Sequence, residues 1–315
     1  MYRKETTKHH AREINQKERT KRAKEQKQRR KERKKSGKPA GIPHTLETLR
    51  TPDETIIPKD DADFQHEEEH DELSRIYANK VEPKLLLTHS DRACPKTLGF
   101  CKELARVIPN TTLLPRWHLP LKKLIPKSIE QGFTALLVIN EDMKKMNTLI
   151  VSHLPDGPTA TFRLTNVTPR RMLCGLKNRG IEEGVIPHLI LNRFMTSLGL
   201  RVERILGALF PSGSRGPPQP HCRTVVFHNQ RDFIFFRHYR YQHRRNRDAV
   251  ENTNEDPELD TLDEPADRVA LNEVGPRFTL KLKSIQRGTF DSQFGDYEWV
   301  RKGAVIGKSR RTFVL

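Results

Sequence analysis

The residue types with most chemical potential in this chain lie in Gly275–Phe290, GPRFTLKLKSIQRGTF. Period-two alternation puts Phe278, Leu280 and Leu282 on one face of a strand and Arg277, Thr279, Lys281 and Lys283 on the other. Arg287 follows, just before Gly288. An apolar face of this kind packs against helices, and the cationic face suits phosphate oxygens. Lysine is also common on ordinary exposed strands, where it protects edges. A second segment, Arg231–Arg247, reads RDFIFFRHYRYQHRRNR and interleaves rings with cations. Phe233, Phe235, Arg237, Tyr239 and Tyr241 share one parity. Exposed rings beside arginine stack unpaired bases, each stack being worth ~1–3 kcal/mol. A core must also be built from the aromatics after Phe210, so Phe233, Phe235 and Phe236 are assigned to it. Arg231, Arg237, Tyr239, Arg240 and Tyr241 remain as contact candidates. Lys122 and Lys123, after Arg116-Trp117, and Arg170-Arg171 would extend a phosphate track.

The charge balance sets the context for these segments. The 315 residues hold 58 Lys plus Arg and 40 Asp plus Glu, a formal net charge of +18 with pI ≈ 9.9. Residues 1–38 hold 17 basic and 5 acidic residues, net +12. The run from Lys21 to Lys35, KRAKEQKQRRKERKK, has no face to bury but good helix propensity. It reads as a disordered or helical charged arm. Lys21, Arg22, Arg29, Arg30, Lys31, Arg33, Lys34 and Lys35 fit a nuclear-targeting run. Residues 53–72 carry 10 acids and one lysine, and 251–268 carry 8 acids and one arginine. Both read as unfolded acidic segments. Residues 73–250 are net +17 and 269–315 net +5, so the region expected to fold is net +22. A polyanion is the expected partner, with nucleic acid first.

The elements that must position these residues come in two similar sets. In the first, Leu85–Thr88 reads as a strand, Leu98–Ile108 as an amphipathic helix and Thr111–Leu114 as a short strand. A helix follows around Leu121–Ile129, then strands Ala135–Asn140, Thr148–Leu154 and Thr159–Val167. In the second, strand His188–Asn192 precedes a helix marked by Leu198, Val202, Ile205 and Leu209. Strands Thr224–His228, Asp232–His238 and Arg277–Ile285 complete it. Gly157-Pro158 opens the third strand of the first set, and Gly275-Pro276 that of the second. This recurrence implies an α/β duplication, each half a sheet backed by helices. The expected organisation is a basic arm 1–38, an acidic linker 39–79, a domain 80–299 with halves about 80–175 and 186–299, an acidic insertion 242–269 and a C-terminal tail 300–315.

Signals for other classes are weak. No stretch of ~18 apolar residues exists, and an apolar secretion segment is not expected. The four cysteines lack CxxC spacing, which disfavours a zinc ribbon or disulfide framework. Gly307-Lys308-Ser309 lacks the glycine that would open a phosphate loop. His153, His188, His228 and His238 show no metal-ligand spacing. The expectation is a non-enzyme with no catalytic residues, metal or cofactor.

GPRFTLKLKSIQRGTF, the strand KLLLTHSDR (84–92) and the paired-half layout resemble the Brix domain of the Imp4-like superfamily of ribosome assembly factors. LPLKKLIP (119–126), LLVINED (136–142), LIVSHLPDGPTATF (149–162), VVFHNQRDFIFFRHYRY (225–241) and FDSQFGDYEWV (290–300) resemble one branch of that family. The resemblance implies two fused anticodon-binding-like α/β halves, each a mixed sheet backed by helices. It implies non-catalytic binding of precursor rRNA through Gly275, Pro276, Arg277, Phe278, Lys281 and Lys283, with Arg92 closing the first-strand motif. It also implies a role in the nucleus and nucleolus in maturing large-subunit (60S) rRNAs. The implied partners are other assembly factors, including a dedicated maintenance-of-killer-type protein. Two departures stand out: Ala93 follows Arg92 where the family commonly has proline, and the turn Met143–Met146 is atypical. The alternative is a protein-interaction scaffold whose RNA contacts come mainly from residues 1–38.

Overall fold

The computed structural model describes scattered residues between 16 and 66, then 70–174, 185–216, 223–244, 268–290, 295–301 and 313–315. Residues 1–50 form one compact unit and 51–315 another. In the first unit the described residues between 16 and 32 are helical and exposed, and they include Lys21, Arg29 and Lys31. Arg22, Arg30, Arg33, Lys34 and Lys35 lie outside the described residues.

The second unit is an α/β fold built on one mixed sheet. After α1 (Ser74–Tyr77) come β1 (Leu85–His89), α2 (Pro95–Val107), β2 (Thr111–Leu113), α3 (Leu121–Glu130), β3 (Ala135–Asp142), β4 (Lys145–His153), β5 (Thr159–Thr168) and α4 (Arg170–Cys174). Then follow β6 (His188–Asn192), α5 (Ser197–Gly207), a 3₁₀ turn (Ser212–Arg215), β7 (Arg223–Gln230), β8 (Phe233–Arg244), β9 (Arg268–Glu273), β10 (Arg277–Gln286) and β11 (Tyr297–Val300). The strand order is β2-β1-β3-β4-β5-β10-β8-β7-β6, with β9 on β8 and β11 on β10.

The duplication is visible in the pairing. β1 runs parallel to β3, which turns back antiparallel into β4 and β5. β6 likewise runs parallel to β7, which turns into β8 and then β10. The two third strands then pair antiparallel with each other, Leu164 opposite Leu280 and Phe162 opposite Leu282. The halves therefore share one continuous sheet. The region read as the insertion 242–269 contains the end of β8 and the start of β9, and 297–300 pairs with β10.

Helices α2 and α5 cover the same face of this sheet. One core holds Phe100, Leu104 and Val107 of α2, Val202, Ile205 and Leu206 of α5, and the inward residues of nearly every strand. A chain of five rings crosses it: Phe210–Phe227 at 6.2 Å, Phe227–Phe236 at 5.1 Å, Phe236–Phe278 stacked at 4.3 Å and Phe278–Phe100 edge-on at 5.5 Å. Such pairs add ~0.5–1.5 kcal/mol each beyond the area they bury. On the opposite face α3 forms a smaller core, Leu124 and Phe133 packing on Leu86, Leu136 and Val138.

Two peripheral segments lock onto α5. Leu73 and Ile76 enter the main core. Beside them Arg201 and Arg204 both reach Asp71 Oδ2, at 2.6 and 3.1 Å, and Arg201 also reaches Glu72 (3.0 Å) and Glu298 (3.3 Å). Burial pushes the Asp71 carboxyl up, but hydrogen bonds with Glu72 and Arg201 and the charges of Arg201 and Arg204 hold it well below the usual range. Tyr77 donates to the Arg204 carbonyl at 3.0 Å, and the Arg204 and Arg215 guanidiniums both lie over its ring, at 4.4 and 3.9 Å. At the other end of the chain, Leu315 is 3% exposed. Asp232 Oδ1 accepts the Val314 and Leu315 N–H groups, and Thr196 Oγ1 donates to the Val314 carbonyl while capping α5.

Each Gly-Pro step packs against a buried histidine. A Cβ on Gly157 would stand 2.6 Å from the His153 Cβ. The Gly275 carbonyl lies 2.8 Å from His238 Nδ1, and the Ile205 carbonyl 3.0 Å from His153 Nε2. The histidines are 1% and 0% exposed, and burial lowers both from 6.5 to about 4. They stay neutral in the fold and protonate near 6.5 once it opens. Their stabilisation is complete above pH 6.5 and is lost as pH falls toward 4, by about 1.4 kcal/mol per pH unit for each residue. Urea denaturation at pH 7.5, 5.5 and 4.5 is expected to show this decline and a shallower one in His153→Gln. A flat profile down to pH 4.5 refutes the assignment.

Candidate nucleic-acid interface

α3 covers only the first-half strands on its side of the sheet. Among the described residues no helix covers that side over β5, β10, β8 and β7. Alternation of strand side chains sends every second residue of these strands onto the open face. β10 contributes Arg277, Thr279, Lys281 and Lys283, while Phe278, Leu280 and Leu282 point into the core, as the alternation predicts. β5 contributes Arg163, opposite Lys281 in register. β8 contributes Phe233, Phe235, Arg237 and Tyr239, opposite Gln230, His228, Val226 and Thr224 of β7.

The cations are held at spacings the sheet dictates. Lys281 Nζ lies 4.5 Å from the centre of the Phe233 ring, an attraction of ~0.5–1 kcal/mol at an exposed site. Lys283 Nζ donates to Thr148 Oγ1 at 3.2 Å, and Thr148 faces Arg163 across β4 and β5. Arg237 donates to its neighbour's carbonyl, Phe236 O, at 2.8 Å, and its guanidinium lies 5.6 Å from the Phe235 ring. Glu273 sits between Arg237 (3.9 Å) and Arg277 (3.4 Å) and offsets part of their charge. Arg163, Lys281 and Lys283 are thus the cationic centre of the face, flanked by two rings. Such an arrangement can pair with phosphates and stack bases together.

The structure sorts the sequence candidates. Arg277, Lys281, Lys283, Arg237 and Tyr239 share the open face. Gly275, Pro276 and Phe278 do not offer a surface. Gly275 and Pro276 are buried and Phe278 is 2% exposed. Gly275 adopts φ +77°, and a Cβ there would stand 2.7 Å from Leu173 Cδ1, so no other residue fits the close approach to α4. These three shape the strand that carries the cations. Arg240 shares parity with Phe236 and His238 and so lies on the helix-bearing side. Arg231 lies in the β7–β8 turn and Arg287 beyond β10, both exposed. Arg170, whose backbone N–H donates to Glu103 at 2.9 Å, and Arg171 belong to α4. Arg92, Lys122 and Lys123 lie apart, in the first half. The Tyr241 side chain is outside the described residues.

Sequence reasoning missed Arg163, Phe233 and Phe235. Arg163 carries a signal in TATFRLTNV, whose alternation sets it opposite Phe162 and Leu164. Phe233 and Phe235 were assigned to the core with Phe236, but only Phe236 enters it; Phe233 is exposed and Phe235 half-buried. Their parity with Arg237 already separated them from Phe236. Among the described residues no helix is long and apolar enough to cross a membrane, and no group of three or more His, Cys, Asp or Glu is placed to hold a metal ion.

A family model described as the Brix domain matches residues 91–284, and the chain belongs to the Brix-domain family. The chain is 42% identical over 279 residues to Ribosome production factor 1 of Pongo abelii, with 88% of this chain and 72% of that protein covered. It is also 42% identical to Ribosome production factor 1 of Danio rerio, covering 88% of this chain and 76% of that protein. A probable ribosomal biogenesis protein from Aeropyrum pernix K1 superposes with TM-score 0.41 and 15% identity, covering 63% of this chain and 96% of that one.

The two faces of β10 predict opposite responses to substitution. Phe278→Ala removes a ring stacked on Phe236 and met edge-on by Phe100, and is expected to cost about 3–5 kcal/mol. Lys281→Ala is expected to change stability by less than about 1 kcal/mol. Urea denaturation of the two variants measures both, and comparable losses would reverse the assignment of faces.

Proposed function

We propose that this protein is a non-catalytic assembly factor that binds precursor rRNA and is required for maturation of the large (60S) ribosomal subunit. The observation that carries the reading is the face of β5, β10 and β8 that no helix covers among the described residues, where Arg163, Lys281 and Lys283 stand beside Phe233 and Phe235. The net charge of +22 on residues 73–250 and 269–315 points the same way, and so does the identity to proteins named Ribosome production factor 1. Phosphate pairing holds RNA in register, and exposed rings take bases that are not paired. On this reading the protein acts in the nucleus and nucleolus, with Lys21, Arg29 and Lys31 in its targeting run. It works beside other large-subunit assembly factors, including a maintenance-of-killer-type partner. A second reading has a specific observation in its favour: the described residues of 16–32 are helical and exposed, in an arm of net +12. In it the domain is a protein scaffold and the arm holds the RNA.

Reversing Arg163, Lys281 and Lys283 to glutamate separates the two. Losing three phosphate contacts is expected to weaken binding to a precursor-rRNA fragment at least tenfold near 0.15 M salt. The salt dependence should become shallower by about 2, at ~0.7 per single-strand phosphate. Retained affinity in the triple variant, with loss on deleting residues 1–38, establishes the scaffold reading instead.

A further inference from the structure

Trp117 is 82% exposed, unusual for a side chain that is ordinarily well buried. It lies in the loop after β2, at the carboxyl ends of the parallel strands β1, β2 and β3. That end is where α/β sheets gather ligand-binding loops. Two loops and the end of β3 meet there and are tied together. Asp91, after β1, holds His118 through Nδ1 at 2.8 Å. Ser90 donates to Asn140 at 2.6 Å and accepts from the Glu141 N–H at 2.9 Å. Glu141 in turn accepts the Cys94 N–H at 2.9 Å, which fixes the start of α2. The Trp117 loop is therefore braced, although its indole is left in solvent.

Exposed cations lie on the elements that meet at this end: Arg92 after β1, Lys96 in the first turn of α2, Lys122 and Lys123 in α3, and Lys144 and Lys145 at the β3–β4 turn, against the acids Asp91, Glu141 and Asp142. Among the described residues none of these cations forms an ion pair. Lys122 and Lys123 occupy the first turn of α3, which has no acidic residue there and no side-chain cap. A helix N-terminus carries partial positive charge and favours acids in its first turn. Two lysines in that place oppose the stability of the isolated helix, and an external anion relieves the conflict. Protein interfaces are depleted in lysine at their centres, whereas a ring surrounded by cations is the pattern of single-strand nucleic-acid platforms.

We infer that the carboxyl end of the first-half sheet is a second RNA site, in which the Trp117 indole stacks an unpaired base and Lys122, Lys123 and Arg92 hold the phosphates beside it. The inference rests on the RNA-binding reading above but concerns a different surface. A paired base has no free face to offer, so the site selects single-stranded segments.

The test uses the full-length chain and an eight-residue uridylate oligomer, with a blunt RNA duplex as control. In a Trp299→Phe background Trp117 is the one remaining tryptophan, and the oligomer is expected to quench its fluorescence. Trp117→Ala should weaken oligomer binding roughly tenfold and leave duplex binding unchanged. Trp117→Phe should retain most of the affinity. Lys122→Glu with Lys123→Glu should weaken binding and flatten its salt dependence by more than one unit. Unchanged melting temperatures show that these exposed positions act through binding. If Trp117→Ala binds the oligomer like the unaltered protein while the Arg163, Lys281 and Lys283 reversal loses RNA, the second site is overturned and the open face stands. If Trp117→Ala leaves RNA binding intact and weakens retention of a protein from pre-ribosomes, the surface is a protein dock and the inference fails. If the unaltered protein binds neither RNA, both readings fail together.

Discussion

Strands β5 and β10 are joined along eight register pairs, from Arg277–Thr168 to Gln286–Thr159, and the rest of the fold is arranged around that seam. It converts two similar halves into a single sheet. It also puts Phe278 between Phe100 of the first half and Phe236 of the second. Because the two strands are antiparallel, the halves meet through equivalent strands and α2 and α5 arrive on the same side. Among the described residues, no helix covers the opposite side where α3 does not reach. The cationic strip is a direct result, because Arg163 and Lys281 are partners across the seam itself.

The two sides of β10 therefore carry different duties. The core side is closed by rings and aliphatic groups that tolerate little change in volume. The outer side bears residues whose charge counts more than their shape. Gly275, Pro276 and Phe278 belong to the first duty, although they sit in the same short motif as Arg277, Lys281 and Lys283. Gly275 is held by its positive φ and by Leu173 and Arg170, which crowd the place a Cβ would take. That contact fixes where β10 begins, and so which of its residues face outward.

Much of this was legible in the sequence wherever periodicity carried it. Thr159–Val167 and Arg277–Ile285 alternate cleanly, and the observed strands are one residue longer at their ends. The repeated Gly-Pro steps marked equivalent places in the two halves. What escaped has a physical reason. β9 and β11 are short, and each pairs with only the last few residues of the strand before it, β8 and β10. Leu73, Ile76 and Leu315 enter the core from stretches whose composition is polar or basic, because only one or two side chains in each are buried. The open face could not be read at all without topology: alternation tells which residues share a side, and only the position of α3 tells which side is uncovered. Phe233 and Phe235 were misplaced for that reason. Trp117 stands close to Lys122 and Lys123 in the sequence, but its exposure belongs to a loop held by Asp91 through His118.

The seam also bears on how the chain is made. Thr165 and Thr279, which meet across it, are 114 residues apart, so β5 emerges from the ribosome long before β10 exists. Until then its outer edge has unpaired backbone groups, a template for adhesion to other chains. Closure of so long a loop is slow, although its entropic cost grows only weakly with length. Arg163 and Asn166 punctuate that waiting edge with polar side chains, and charge on an exposed strand is the general means by which such edges resist pairing with other chains, so one arginine suits both the half-made and the finished sheet.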